Sequence, residues 1–251
     1  MIILMEQPLE IVFPTGSTAE VMQISSAADL DFVLQALGIG NQRPAMVVIG
    51  GASKLSEADF ERVRQLFAKV LAPLAQKWNA AVVDGGTDVG VMRLMGQARL
   101  EIGADFPLVG VLPVGLAALP NQAAPSPEAA SLEANHTHFV LVPGSNWGDE
   151  STWIADIASA IADTTASVTV LVNGGEVTWR DASKSVEADR SLIVVAGSGR
   201  TADILASAVR GQSTDKRAAE IVSSGLVRAI DLEAGTNAFA IMIEEIFASG
   251  Q

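Results

Sequence analysis

Apolar residues along this chain fall into two patterns. Short runs at 45–49, 80–83, 108–112, 139–142, 168–172 and 192–196 are dominated by Val, Ile, Leu, Phe and Ala. Runs of that length and composition suit strands buried on both faces of a parallel sheet. Between them, apolar residues return every three or four positions, the spacing of an amphipathic helix. The clearest case is 56–78, where Ser56 is the expected N-cap and Phe60, Val63, Leu66, Phe67, Val70 and Leu71 share one side. Further helices are predicted over 89–102 and 151–162, from Asn173-Gly174-Gly175 to about 188, after Gly197-Ser198-Gly199-Arg200, and over 238–247. Upstream, strands at 9–13 and 20–24 flank the turn Pro14-Thr15-Gly16-Ser17, and a helix at 28–37 stops before Gly38. Downstream, 226–230 reads as a last strand.

The resulting β-α-β-α rhythm predicts an α/β fold: a doubly wound, mainly parallel sheet of Rossmann-like, three-layer α/β/α architecture. No linker forces a second domain, so residues 1–251 read as one domain with a short N-terminal β extension over about 1–25. Residues 119–133, rich in Pro, Ala, Ser and Asn, form a long loop whose length makes it a candidate lid or binding loop.

Composition narrows the function classes. With 49% hydrophobic and 18% charged residues, the chain can bury a large core. Its formal net charge of −13 opposes non-specific binding to nucleic acid or anionic membranes. It does not oppose one small anion, because main-chain N–H groups at a helix start hold phosphate without net positive charge. The chain has no cysteine, which excludes disulfides and thiolate metal sites. Residues 1–7 lack the pattern of a signal peptide, and no apolar run is long enough to span a bilayer. A cytoplasmic location is therefore expected, with no membrane span. The mean hydropathy of +0.34 leads us to expect a homo-oligomer.

In an open parallel sheet, ligands bind beyond the carboxyl ends of the strands. Four turns follow predicted strands and precede predicted helices: Gly50-Gly51-Ala52, Gly85-Gly86-Thr87, Asn173-Gly174-Gly175 and Gly197-Ser198-Gly199. Each alone is a tight β-α turn or part of a ligand cleft; four on one edge favour the cleft. None carries the Gly-Lys-Ser/Thr of a P-loop, and Gly197-x-Gly199 lacks the third glycine of the dinucleotide fingerprint. Arg200 brings a guanidinium to the start of a helix, where it can clasp phosphate. Asp203, one turn on, either complements the dipole, orients Arg200 or accepts from ribose hydroxyls. Trp147 either stacks on a base or covers the core edge. His136 and His138 have the i, i+2 spacing of some metal ligands, but no third ligand is evident and no metal is expected. Asp84, Asp149, Glu150 and Asp203 are the candidate carboxylates for cutting a glycosidic bond, with Glu150 the first choice despite its alternative role as a helix cap.

The order of these pieces resembles the SLOG superfamily. Within it, the chain is similar to prokaryotic relatives of the N-terminal cytosolic region of melastatin-type TRP channels. The likeness rests on Gly50-Gly51-Ala52, on Gly85 to Met92, on Asn135 to Val142, on Trp147-Gly148-Asp149-Glu150, on Asn173-Gly174-Gly175 and on Gly197 to Asp203. It implies a Rossmann-like fold of the SLOG/lysine-decarboxylase-like kind and a nucleotide-derived ligand such as ADP-ribose or NAD, with no required cofactor. Carried over, the Gly50, Gly85, Gly174 and Gly197 loops would hold diphosphate and ribose, with Arg200 on phosphate. Met92 and Trp147 would pack the base, Trp147 standing where the family pattern often has Tyr. The phosphoribohydrolases of the superfamily carry Pro-Gly-Gly-x-Gly-Thr-x-x-Glu. Here Asp84 to Met92 lacks the third glycine and the glutamate, so a sensing role, passed on by self-assembly or a separate effector protein, is expected ahead of the alternative, hydrolysis of a nucleotide N-glycosidic bond.

Overall fold

The computed structural model describes residues 7–51 and 55–249. The chain opens with an antiparallel hairpin, β1 (Leu9–Val12) and β2 (Thr18–Gln23), around the predicted turn. After α1 (Leu30–Ala36) comes β3 (Ala45–Gly50). The long predicted helix follows as α2 (Glu57–Leu66), a π-helical stretch Phe67–Leu71, and α3 (Ala72–Lys77). Ser56 caps its start, accepting from Asp59 N–H at 3.1 Å. The π stretch has a local cause. Pro73 has no N–H to donate and its ring crowds the carbonyl one turn back, so the helix widens just before it, and Ala72 N–H reaches back to Phe67 O.

The alternation continues through β4 (Ala81–Asp84), α4 (Gly90–Glu101) and β5 (Leu108–Pro113). Two short strands, β6 (Ala117–Ala118) and β7 (Ala130–Ser131), pair with each other, so the predicted loop over 119–133 is pinned at both ends. Then come β8 (His138–Val142), α5 (Ser151–Ala162), β9 (Ser167–Val172), α6 (Glu176–Glu187), β10 (Ser191–Ala196) and α7 (Arg200–Val209). A short helix absent from the sequence reading, α8 (Lys216–Val222), precedes β11 (Val227–Asp231) and α9 (Thr236–Ser249). It buries only Ala218 and Ile221, too few apolar positions to make a periodic pattern.

Nine strands form one sheet in the order β1-β2-β8-β5-β4-β3-β9-β10-β11, parallel except for the β1–β2 edge pair. The N-terminal extension is thus an edge of the main sheet, β2 pairing in parallel with β8. Alternate residues of each strand enter opposite cores. On β3, Ala45, Val47 and Ile49 face the layer of α1, α5, α6, α7 and α8, while Met46 and Val48 face α2, α3, α4 and α9. This is the doubly wound three-layer architecture. Among the described residues no helix is long and apolar enough to cross a membrane.

Candidate functional site

The strand order reverses direction between β3 and β9: β4, β5 and β8 lie to one side, β10 and β11 to the other. Loops leaving neighbouring strands at such a point diverge to opposite faces and leave a crevice. The Gly50 turn and the Asn173 turn meet there. Gly51 N–H donates to Val172 O at 2.9 Å. Gly50 has φ +121°, and a Cβ on it would lie 1.9 Å from Val172 O, so only glycine fits this close approach. Ala52 lies outside the described residues.

Asn173 then ties this turn to the next. Its N–H donates to Ser198 Oγ at 2.7 Å, its Nδ2 donates to Ser198 O at 2.6 Å, and its carbonyl accepts from Ala202 N–H at 2.9 Å. Ser198 is buried, and its hydroxyl also donates to Val195 O at 2.6 Å. Gly174 packs on Thr178, and Gly175 lies beside the Arg200 guanidinium. Asp203 Oδ1 accepts from Gly197 N–H at 2.7 Å, closing the turn after β10. Arg200 is exposed and has φ +55°, a conformation rarely adopted by a residue with a long side chain. The starts of α6 and α7 therefore sit side by side, with a guanidinium between them.

Across β3, a cavity of about 230 Å³ runs beneath Trp147. Gly50, Gly85, Thr87 and Met92 line one side of it, and Trp147, Glu150 and Asp181 line the other. A second hollow of about 600 Å³ shares Gly50, Val89 and Met92 with it and reaches Gly51 and Arg93. The two open on the same sheet edge as the Asn173 and Arg200 turns. The long loop contributes as well: Ala130 lines the cavity, and Glu133 N–H donates to Gly86 O at 2.9 Å.

The family model for SLOG in TRPM, prokaryote, matches residues 43–240. The chain belongs to that family. The match spans β3 to the start of α9, so it takes in all the glycine turns of this site.

Two groups of ionisable residues sit close to the glycine turns of this SLOG domain. Behind the Gly85 turn, His136 Nε2 and Asp84 Oδ1 are 2.8 Å apart, as are His136 Nδ1 and Glu133 Oε2. All three side chains are buried. Burial by itself would push the imidazole down, but the flanking carboxylates of Asp84 and Glu133 outweigh it and raise His136 to about 9. The same Asp84 oxygen accepts from Gly86 N–H at 2.7 Å, so the cluster fixes the turn from below. Gly96 of α4 makes room for it, since a Cβ there would fall 2.0 Å from Glu133 Oε2. His138, the other histidine, faces away from this cluster along the chain, is pushed down to about 4 by burial, and lies 2.7 Å from Thr137 Oγ1.

The second group faces the cavity. Glu150 is 6% exposed, and burial raises its pKa although Gly148 N–H donates to Oε2 at 2.7 Å. Asp181 is pushed up to about 7 by burial, opposed by a hydrogen bond from Ser151 Oγ at 2.5 Å and reinforced by Glu150. Asp149, next to Glu150 in the chain, instead accepts from Ser145 and Asn146 N–H at 3.0 Å, and those bonds hold its carboxyl below the usual range.

Of the residues singled out from the sequence, Gly50, Gly85, Thr87, Met92, Trp147 and Glu150 share the cavity. Gly51 lies at the neighbouring hollow, and Gly174, Gly175, Gly199 and Arg200 gather around Asn173. Gly86 is turned into the core, against Gly110 and Phe139, and Gly148 packs against Arg180. Asp181 was missed. It sits mid-helix, where a carboxylate reads as a solvated face. The available signal was its place in the stripe Thr178, Asp181, Ala182, Ser185, whose other members are all buried. Glu133 was missed because it lies in a loop, where no periodicity marks a buried residue.

Proposed function

We propose that this SLOG domain binds a nucleotide-derived ligand of the ADP-ribose or NAD type. The diphosphate lies over the Gly50, Asn173 and Gly199 turns beside Arg200, and one ring of the ligand enters the cavity under Trp147. The observation that carries this reading is the junction of the Gly50 and Asn173 turns at the switch between β3 and β9, with the starts of α6 and α7 alongside. Such a junction turns the positive ends of two helix dipoles toward an anion, while the turn N–H groups are engaged in holding the junction itself. The cavity is smaller than the roughly 300–1,000 Å³ of sites that enclose a whole ligand, so it takes one ring while the rest lies along the sheet edge. Occupancy is passed on through self-assembly or to a separate effector protein.

Calorimetry with ADP-ribose, NAD, AMP and cyclic ADP-ribose tests this. At least one should bind, and Arg200→Ala should weaken it about tenfold or more, in keeping with a charge-assisted hydrogen bond of about 1.5–3 kcal/mol. Folded protein that binds none of them at millimolar concentration rules the reading out.

Two carboxylates on the cavity wall also support a second reading, cleavage of a nucleotide N-glycosidic bond. Water would attack C1′ of the ribose and give its proton to Glu150 as the C1′–N bond breaks; Asp181, poised near neutrality, would protonate a purine leaving base, whereas nicotinamide leaves as a neutral ring without a proton. Release of free base or nicotinamide on long incubation, abolished by Glu150→Gln, is the expected result for such an enzyme.

A further inference from the structure

The wall of the cavity formed by α5 and α6 is chemically unlike the rest of it. Ile49, Val89 and Met92 make the remaining surface largely apolar, and Trp147 stands at the rim, 39% exposed. Glu150 and Asp181 face this space from neighbouring helices. The Glu150 carboxylate is hydrogen-bonded by the Gly148 N–H and by its own N–H, and Asp181 by the Ser151 hydroxyl. Among the described residues neither makes a close ion pair, and no Lys or Arg lines the cavity. The charged groups that act on the pair from outside are Asp149, on the turn before α5, and Arg180, on α6. Among the described residues these groups set one cation against three acids, which makes their local field negative.

Carboxylates ionised in an apolar wall are costly unless a positive charge joins them, and without one they hold a proton instead. A phosphate is repelled from such a wall and belongs with the turns outside it. Adenine, ribose and a reduced nicotinamide bring no charge. An oxidised nicotinamide is a flat ring with a quaternary nitrogen, small enough for this space. It can stack on an indole by cation–π attraction while facing two carboxylates. We propose that the cavity between α5 and α6 selects the cationic ring of an oxidised pyridine nucleotide over the neutral reduced ring, with Glu150 and Asp181 as the residues that discriminate. This rests on the nucleotide reading above and narrows it: the domain reads the oxidation state of the ligand.

Binding a cation favours the ionised form of Asp181, so uptake of the oxidised nucleotide releases a proton near neutral pH and strengthens as the pH rises. The test is calorimetry on the full chain with NAD+, NADH and ADP-ribose at about pH 6 and about pH 8, on either side of the Asp181 titration. At the higher pH, NAD+ should bind about tenfold more tightly than NADH, equivalent to about 1.4 kcal/mol. The ratio should shrink at the lower pH, and Asp181→Asn and Glu150→Gln should each bring it toward unity. Equal or tighter binding of NADH by the wild-type chain overturns the inference while leaving the nucleotide reading intact. So does a preference that neither substitution changes. Failure of all three nucleotides to bind overturns the inference, and failure of AMP and cyclic ADP-ribose as well overturns the nucleotide reading with it. The wild-type ratio decides the question even where a variant does not fold.

Discussion

Arg200 combines two features that pull in opposite directions. Its backbone sits at φ +55°, which costs a non-glycine residue about 1–3 kcal/mol, and its guanidinium stands beside the Gly175 turn. A strained conformation survives where surrounding bonds over-determine it. Here Asn173 holds both flanking turns through its main chain and side chain. Substituting glycine separates the two features. Arg200→Gly should keep or raise the thermal midpoint, because glycine adopts positive φ freely, while weakening the nucleotide as much as Arg200→Ala does. A glycine variant as unstable as the alanine one would mean that side-chain contacts, rather than backbone strain, dominate at this position. Asn173 tolerates its own φ of +57° more easily, since its side chain accepts from the next N–H at 2.9 Å.

At the scale of elements, the turn after β4 is held less by its own glycines than by what lies under it. The Asp84–His136–Glu133 cluster joins the end of β4 to the segment between β7 and β8. This gives folding a pH dependence whose sign follows from His136. Its pKa rises from about 6.5 in the unfolded chain to about 9 in the folded one, so the folded state holds the extra proton. The stabilisation is complete below about pH 6.5 and is lost as the pH climbs through about 9. Denaturant midpoints should therefore fall across that interval in the wild-type chain. His136→Gln should start lower and show little further fall. A flat wild-type profile between those limits would contradict a charged imidazole in this position. Asp181, raised to about 7, overlaps only the lower end of this interval and acts there with the same sign, so the His136 contribution is read above about pH 7; His138, lowered to about 4, acts below the interval with the opposite sign.

Over the whole molecule, the surplus of 13 negative charges sets the response to salt. The ion pairs of the surface are mostly short-range and exposed, such as Arg62–Asp59 and Arg64–Glu61, and solvent screening leaves each of them weak. Repulsion among the unbalanced acids acts over a longer range and is screened as the Debye length shrinks from roughly 20 Å at about 0.02 M to roughly 6 Å at about 0.3 M salt. Added sodium chloride over that span should raise the thermal midpoint. A steady decrease would show that the local pairs outweigh the overall repulsion. On the proposed reading, an anionic ligand would depend on the two helix starts and Arg200 of one edge, since the general field repels it.

Much of this architecture is legible in one dimension because its causes are local. Strands buried on both faces are apolar at nearly every position, so the runs of the central strands β3, β4, β5, β8, β9 and β10 stand out, and parallel pairing obliges crossover connections between them. Glycines after strand ends can likewise be read directly, and so could the sequence resemblance they carry to the SLOG family. Side-chain packing between elements distant in the chain is another matter. No periodicity announces that Asp181, within α6, turns toward Glu150 at the start of α5, or that Glu133 in a loop meets Asp84 and His136 under Gly96. Carboxylates normally mark solvated surface. Which of them are drawn inside, and with what partners, depends on how helices dock on the sheet, and that long-range geometry gives the cavity its acidic wall and the Gly85 turn its buried support.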